Sequence, residues 1–355
     1  MMKEQAMTKA TRSANESLPA GHPKLILNPS RQAKFAQCVL LYHRLYNLML
    51  DKPDLPVNVK SGQPLLGTLL HATQAAYDTG KDYKKAVAAE LKKLRASIHY
   101  NIKYAATVDR VEREAIQIFR GGSVKDGKGK ETKFPGYPEW RQNMAGMLPE
   151  NAPRPVGVEI VDVEKRLWVD VGPVVLAPKL DCVLKATNVF GRGETTWWVE
   201  EHKSTGRDDS AWKWRWTMDG QTTCQIVAAE QHYDVDFEGV LVNQVVVTRQ
   251  KPKDKGTLPP INKVIRYDAR WVSKRPEVKA LYMDYLEDLA QDFKDRSARG
   301  SWPATGMMNR HCDLCHHKSI CSGRESARVL QPVPPDELQL EFERRSSRRT
   351  TRRKK

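Results

Sequence analysis

The sequence lacks a long hydrophobic run, and its unbroken apolar stretches, such as residues 38–42, extend over only a few positions. A membrane-spanning helix needs about 20 apolar residues, so the sequence predicts that the protein has no membrane partner. The polar residues 1–16 also lack the apolar segment of a secretory signal. Both absences predict a cytoplasmic protein.

Acidic residues are few relative to basic ones. The chain has 43 Asp and Glu against 59 Lys and Arg, which gives a formal net charge of +16 and favours a polyanionic partner. Residues 344–355 carry eight basic side chains and no acidic one, and such a block repels itself and builds no core. We therefore expect residues 324–355 to form a disordered basic tail that binds nucleic-acid phosphates. The candidate contacts are Arg344, Arg345, Arg348 and Arg349.

The order of the predicted elements indicates the fold class. A hydrophobic content of 40% over 355 residues is that of a globular protein. Apolar residues recur at helical spacing up to residue 120, whereas β-branched and aromatic stretches after residue 155 predict sequential strands. The sequence therefore predicts an α/β core with a helical insertion. We expect a flexible segment (1–23) and one folded domain (24–323), with a helical part (about 30–120), a sheet core (about 155–298) and a loop (306–323).

Three local predictions concern the helical part and the segment after it. Ser30 is expected to cap one helix over residues 29–50, whose apolar positions recur every three or four residues. The Gly- and Lys-rich residues 121–138 are expected to form an irregular loop because they are polar. Glu112 and Glu114, on the preceding helix, are expected at the surface.

The cysteines form one tight cluster and three separate positions. Cys312, Cys315 and Cys321 lie within ten residues of one another, and three thiolates on a short loop can bind one metal centre. Cys38 or one of the neighbouring histidines (His311, His316 and His317) would supply the fourth ligand. The spacing allows zinc or an iron–sulfur cluster. Cys182 and Cys224 fall inside predicted elements and are expected to be buried free thiols.

Two neighbouring predicted strands carry a set of ionisable residues. Asp181 lies on the first strand, and Glu201 and Lys203 lie two positions apart on the next one, so the last two side chains point to the same face. One carboxylate from each strand makes a hard oxygen site for Mg²⁺ or Mn²⁺. A lysine beside such a site can orient or deprotonate a water molecule and offset charge on a phosphate.

This set of residues resembles the PD-(D/E)XK nuclease superfamily, in which an Asp precedes E-x-K on the next strand. Residues 67–71 (GTLLH) are similar to the G-x-x-x-H motif of its RecB-like branch, and Gln221 is similar to the Gln that begins the motif on the following helix. Residues 30–38 (SRQAKFAQC) resemble the opening of the members that carry an iron–sulfur cluster. These members include AddB-type helicase-nucleases and CRISPR-adaptation exonucleases.

The resemblance implies a restriction-endonuclease-like mixed central sheet flanked by helices, with a four-cysteine cluster joining the N- and C-terminal parts. It implies that His71, Asp181, Glu201 and the backbone carbonyl of His202 bind Mg²⁺ or Mn²⁺. Lys203 would position the attacking water, and Gln221 would support the site or contact DNA. The cluster would be a [4Fe–4S] centre, with zinc as the alternative, and its ligands would be Cys38, Cys312, Cys315 and Cys321.

The implied function is that of a metal-dependent DNA nuclease, an exonuclease that acts on DNA ends or single strands in recombination, repair or processing. The sequence has no G-x-x-x-x-G-K-[ST] motif, so a helicase or recombination protein is a candidate partner, and the sequence does not define an oligomeric state. The alternatives are a non-catalytic DNA-binding protein of the same fold and an RNA-directed nuclease.

Two further features bear on DNA binding. Aromatic and basic residues alternate after the E-x-K strand, a pattern that suits stacking on unpaired bases but also suits packing at a turn. These residues are Trp212, Lys213, Trp214 and Arg215. The second feature is a departure from the family pattern, because Gln225 stands where the helix motif usually has a tyrosine.

Overall fold

The computed structural model describes residues 25–42, 45–46, 50–51, 63–96, 105–125, 128–143, 157–171, 174–205, 216–250, 261–305, 315, 317–322, 324 and 331–332. In this part of the chain the helices are α1 (Pro29–Gln37), α2 (Val39–Tyr42), α3 (Gln63–Asp78), α4 (Tyr83–Arg95), α5 (Ala105–Arg120), α6 (Tyr137–Asn143), α7 (Gly220–Tyr233), α8 (Pro276–Arg299) and α9 (Lys318–Cys321). The strands are β1 (Leu25–Leu27), β2 (Leu50–Asp51), β3 (Gly121–Lys125), β4 (Glu131–Pro135), β5 (Gly157–Arg166), β6 (Val169–Val171), β7 (Val174–Leu176), β8 (Lys179–Thr187), β9 (Thr195–Thr205), β10 (Phe237–Arg249), β11 (Ile261–Ser273) and β12 (Gln331–Pro332).

A mixed five-stranded sheet forms the centre of the fold, in the order β11-β10-β9-β8-β5. The pairs β5–β8, β8–β9 and β10–β11 are antiparallel. Strands β9 and β10 are parallel, and helix α7 connects them, as a parallel pair requires a crossover. A smaller sheet in the order β1-β7-β6 lies beside this one.

Helices cover both faces of the central sheet. On one face, α3 to α6 bury a core that includes Trp198, Leu184 and Leu241 from the sheet. On the other face, α1, α7 and α8 bury Val183, Val199 and other residues that alternate with the first set. Because successive strand residues point to opposite faces, each central strand contributes to both cores. The result confirms the predicted mixed α/β fold of restriction-endonuclease type.

The first predicted helix is wrong in its extent. Helix α1 ends at Gln37, because Cys38 adopts an extended backbone (φ −163°, ψ 112°), and α2 follows as a separate turn. The N-cap is Asn28 and not Ser30, since the Asn28 side chain accepts a hydrogen bond from the Arg31 N–H at 2.8 Å. The apolar spacing continues across Cys38 and therefore did not reveal the break.

The predicted loop over residues 121–138 is also wrong. Strands β3 and β4 pair as an antiparallel hairpin, and the chain then enters α6. The hairpin lies directly against the end of α5, because a Cβ at Gly136 would stand 2.4 Å from the carbonyl group of Arg120. The mostly exposed polar side chains of the hairpin gave no apolar alternation from which strands could be predicted.

The carboxylate of Glu114 is buried, and not at the surface as its helix suggested. It accepts two hydrogen bonds from Arg249 on β10, at 3.1 and 2.7 Å, and one from Arg110 at 3.1 Å. The partner from β10 is distant in sequence, so local pattern could not reveal it. Glu112 is half-buried.

None of the helices in the described part of the chain combines the length and the apolarity that a membrane-spanning segment needs.

Candidate active site

The site lies where the ladder between β8 and β9 ends. The paired residues run from Thr187–Thr195 to Cys182–Glu200. Immediately beyond this point the Asp181 side chain replaces the backbone as the acceptor. Its Oδ2 accepts a hydrogen bond from the backbone N–H of His202 at 2.7 Å. The end of the ladder thus directs Asp181 towards the segment of β9 that carries Glu201 and Lys203.

Helix α3 supplies a histidine to the same place. His71 Nδ1 lies 3.6 Å from Asp181 Oδ1. Burial lowers the pKa of His71, but the carboxylates of Asp181 and Glu201 more than offset this effect, so its pKa is raised overall. One turn earlier, Gly67 permits the close packing of α3 on β9, since a Cβ there would stand 2.7 Å from Ser204 Oγ. In the G-x-x-x-H motif, the glycine therefore allows α3 to approach β9, and the histidine then reaches Asp181.

The Glu201 carboxylate is held by three side chains. Its Oε1 accepts hydrogen bonds from Lys203 Nζ and, at 2.5 Å, from Gln221 Nε2. Its Oε2 accepts one from Gln225 Nε2 at 2.6 Å. Lys203 Nζ also donates to Gln221 Oε1 at 3.1 Å, so the lysine, the glutamate and the two glutamines of α7 form one network.

The two carboxylates of the site differ in their electrostatics. Burial and the nearby charge of Asp181 raise the pKa of Glu201, against the pull of Lys203. Burial also opposes ionisation of Asp181, but His71 and His202 outweigh it and hold the pKa of Asp181 well below its usual range. A second positive charge beside the pair would stabilise Glu201 as a carboxylate.

The donor set fits a hard divalent cation. The Asp181 and Glu201 side chains are only 12% and 3% exposed, and their ionisable partners are His71 for Asp181 and Lys203 for Glu201. Two buried carboxylates with an imidazole at one side supply ligands of the kind that Mg²⁺ and Mn²⁺ take. Thus the structure brings His71, Asp181, Glu201, Lys203 and Gln221 together, as predicted.

The backbone and the side chain of His202 serve different parts of the structure. Its backbone N–H serves the site through Asp181, whereas its side chain points to the opposite face, with Cys182 and Asp78. Burial lowers the pKa of the His202 imidazole to about 4, although the charge of Asp181 opposes this. The predicted role of its carbonyl as a metal ligand stays a prediction.

A buried polar network backs the site on that opposite face, and the sequence analysis missed it. Arg141 on α6 donates to both oxygens of Glu200, at 2.5 and 2.8 Å, and pairs with Asp78 Oδ1 at 3.4 Å. Tyr137 donates to Asp78 Oδ2 at 2.9 Å, and Asn243 donates to Glu200. The signal available in the sequence was Asp78 itself, which follows His71 by two helical turns and so shares its face of α3.

Two other cysteines of the predicted cluster, Cys38 and Cys321, lie near Cys315. Cys38 is buried at the break between α1 and α2, Cys315 is half-buried and Cys321 ends α9. Burial raises the pKa of the Cys315 thiol, and Cys38 and Cys321 are close enough to raise it further. Cys312 lies outside the described residues. Cys182 and Cys224 are buried free thiols, as predicted.

The predicted DNA contacts are not described by the structure. The alternating segment (Trp212, Lys213, Trp214 and Arg215) and the tail arginines (Arg344, Arg345, Arg348 and Arg349) all lie outside the described residues. A cleft of about 780 Å³ does open beside the site, between α1, α7 and α8. Gln221 and Gln225 line it, and Met218, Leu281 and Tyr285 leave apolar surface exposed at it.

Comparison with known proteins agrees with this geometry. The family model described as PD-(D/E)XK nuclease superfamily matches residues 26–322, a span that includes every residue of the site and all four predicted cluster cysteines. No match was found among curated proteins.

Proposed function

The chain belongs to the PD-(D/E)XK nuclease superfamily, and from this premise we propose that it is a Mg²⁺- or Mn²⁺-dependent deoxyribonuclease of the RecB-like branch. In this proposal it is an exonuclease that hydrolyses phosphodiester bonds at DNA ends or in single strands, during recombination, repair or processing. The observation that carries the proposal is the convergence of His71, Asp181, Glu201 and Lys203 at the end of the β8–β9 ladder.

The residues divide the chemistry among them. His71, Asp181 and Glu201 would hold the metal, with the His202 carbonyl as a further ligand. The metal, when bound, supplies Lewis-acid activation of the phosphodiester and offsets its charge. Lys203, fixed by Glu201 and Gln221, would orient the attacking water and offset the charge on the phosphate. Gln221 and Gln225 keep the Glu201 carboxylate in one orientation.

The substrate preference rests on the cleft beside the site. Its exposed apolar side chains, among them Tyr285, offer surfaces on which unpaired bases can stack. Arg166 and Lys179 also line the cleft, and Lys179 is paired with Glu164, so the described cations there are few. We therefore assign base stacking to the cleft and much of the phosphate binding to the basic tail and the segment 212–215.

A four-cysteine [4Fe–4S] cluster is the second part of the proposal. The approach of Cys38, Cys315 and Cys321 supports it, and zinc is the alternative occupant. The cluster would join the start of the domain to its end. The proposal also includes a cytoplasmic location and a helicase or recombination partner, which rest on the sequence alone.

The test is cleavage of a panel of labelled substrates in Mg²⁺ or Mn²⁺: linear single-stranded DNA, linear duplex, circular single-stranded DNA and single-stranded RNA. We expect cleavage of linear DNA with progressive shortening from an end and little cleavage of circles. Cleavage of circles would replace the exonuclease with an endonuclease. Preference for RNA would favour the RNA-directed alternative, and DNA binding without cleavage would favour the non-catalytic one.

A further inference from the structure

A second cluster of metal-ligating side chains lies behind the active site, on the other side of β9 from Glu201 and Lys203, and the His202 ring of this cluster stands 5.9 Å from the His71 ring. Asp78, Cys182 and His202 each direct one ligand atom into a common space, and these atoms lie within 4.8 Å of one another. All three side chains are buried: Asp78 is 1% exposed, and Cys182 and His202 are 1% and 3% exposed. The Cys182 Sγ lies 3.7 Å from Asp78 Oδ2.

The His202 imidazole makes ring contacts with His71 and Tyr137 but takes no part in the hydrogen bonds of the described network. Within the described structure neither of its ring nitrogens has a hydrogen-bond partner, and the nearest carboxylate oxygen, Glu200 Oε1, lies 3.9 Å from Nε2. Leaving buried polar atoms without a partner is destabilising. A metal ion in the space between the three residues would use one of these nitrogens directly.

The charges around the cluster also favour a cation. Asp78 and Glu200 bring two carboxylates, whereas Arg141 brings one guanidinium and is engaged with both of them. This leaves one net negative charge among these buried groups. Asp78 is also the last residue of α3, where the helix dipole adds further negative potential. A divalent ion bound to a Cys182 thiolate would bring the sum to zero.

We propose that Asp78, Cys182 and His202 bind one zinc ion. Thiolate, imidazole and carboxylate are the ligands that zinc takes in proteins, and three protein ligands leave the fourth tetrahedral position to a water molecule. Binding releases the Cys182 proton to solvent as the Zn–S bond forms. Tyr137, which donates to Asp78 Oδ2 at 2.9 Å, orients one ligand from outside the site.

The position of this site gives it a structural role. Cys182 directly follows Asp181, and His202 directly follows Glu201. Zinc would tie α3 to both catalytic strands immediately behind the active site and would thereby fix the separation of Asp181 from Glu201. Whether zinc binds here depends neither on the proposed nuclease activity nor on the cluster of Cys38, Cys312, Cys315 and Cys321.

The test is a metal count by mass spectrometry on the full chain, with zinc and iron measured separately after zinc loading and removal of loosely bound metal. We expect Cys182→Ser to hold about one zinc fewer per chain than the wild type, with its iron content unchanged. Cys224→Ser is the matched control, because Cys224 is an equally buried thiol on α7 that bonds Gln32. It should keep the wild-type zinc count.

Cobalt gives a second readout of the same site. The Co²⁺-loaded Cys224→Ser protein should show a thiolate-to-cobalt charge-transfer band that is weaker in Cys182→Ser, since only the second variant lacks the Cys182 thiolate. Equal zinc counts and equal cobalt spectra in the two variants would overturn the proposal. Should Cys182→Ser fail to fold, Asp78→Asn, which keeps the size of the side chain, decides by the same zinc count.

Discussion

At the scale of single residues, the site depends on how one carboxylate is oriented. Glu201 receives hydrogen bonds from two glutamines one turn apart on α7, and each glutamine serves a different oxygen. Gln225 therefore has a role in this protein that does not require the tyrosine usual at its position. The Gln225 side chain is buried, lines the cleft and donates a hydrogen bond to Glu201 Oε2.

Replacement of Gln225 by leucine should weaken metal binding. A hydrogen bond to a charged group is worth about 1.5–3 kcal/mol, which corresponds to roughly a tenfold to hundredfold higher metal concentration for half-maximal cleavage. The measurement is a Mn²⁺ titration of the nuclease rate. Gln32→Leu is the control, because Gln32 is also buried but bonds Tyr282 and Cys224. Equal metal requirements in the two variants would contradict the role of Gln225.

At the scale of secondary-structure elements, the fold brings a helix from outside the sheet core to the ends of β8 and β9. Helix α3 approaches β9 closely at Gly67, and this approach sets the position of His71 one turn later.

The loop that leads into α7 is held by a buried lysine. Its carbonyl groups surround the buried ammonium group of Lys274 at the end of β11.

Gly67→Val should move α3 away from β9 and lower nuclease activity by more than tenfold. The added side chain would overlap Ser204 Oγ, and overpacking of this kind costs about 1–3 kcal/mol. Circular dichroism should show an intact fold. The double variant Gly67→Val/Ser204→Ala should recover part of the activity, since it removes the overlapping oxygen. Full activity of Gly67→Val alone would show that the close packing is unnecessary.

Lys274 predicts how stability depends on pH. Burial lowers the pKa of Lys274 to about 8, with Asp219 opposing the shift, whereas an unfolded lysine has a pKa near 10.4. Between these values the unfolded chain binds more protons than the folded one, so the contribution of Lys274 to stability rises with pH. The full rise is on the order of 3 kcal/mol.

The measurement is urea unfolding at pH 8 and pH 10 for the wild type and Lys274→Met. The wild type should gain stability relative to the variant as the pH rises, because only the wild type carries the buried ammonium group. Parallel changes in the two proteins would show that Lys274 is not buried as an ion. The variant should be less stable overall at both values, since it removes the hydrogen bonds that Lys274 donates to the carbonyl groups of Trp216 and Thr217.

At the scale of the whole molecule, the start of α2 meets the segment that follows α8. The backbone N–H groups of Val39 and Leu40 donate to Thr305 Oγ1 and the Pro303 carbonyl, each at 3.1 Å. Cys38 directly precedes Val39 at this junction and lies close enough to Cys315 to affect its pKa. A cluster at this point would close the fold without taking part in the reaction.

Cys315→Ala should therefore lose bound iron and the brown colour and unfold at a lower temperature. The measurements are the visible spectrum, an iron assay with about four irons per chain expected for the wild type, and a thermal melt. Cys224→Ala is the control, since its thiol is buried elsewhere and should leave the iron count unchanged. A Cys315→Ala protein with wild-type colour and iron content would contradict the assignment of the cluster.

The sequence was sufficient to predict the features that depend on local residue patterns. Alternation placed Glu201 and Lys203 on one face, and the order of helices and strands predicted the α/β core. It did not suffice where a contact joins distant parts of the chain, as between Glu114 and Arg249. The pairing of Arg141 with Glu200 escaped prediction for the same reason, because a polar residue facing a core looks like any other polar residue until its partner is known.

The most direct test of the proposed catalytic centre is cleavage of linear single-stranded DNA by Lys203→Met in Mn²⁺. Lys203 contacts both Glu201 and Gln221, so its removal should leave the fold intact and abolish cleavage. Lys185→Met is the matched control, because Lys185 lies on β8 against Trp197, 4.7 Å from the ring centre, and away from the site. Lys185→Met should cleave as the wild type does. Wild-type cleavage by Lys203→Met would contradict the assignment of this site as the catalytic centre.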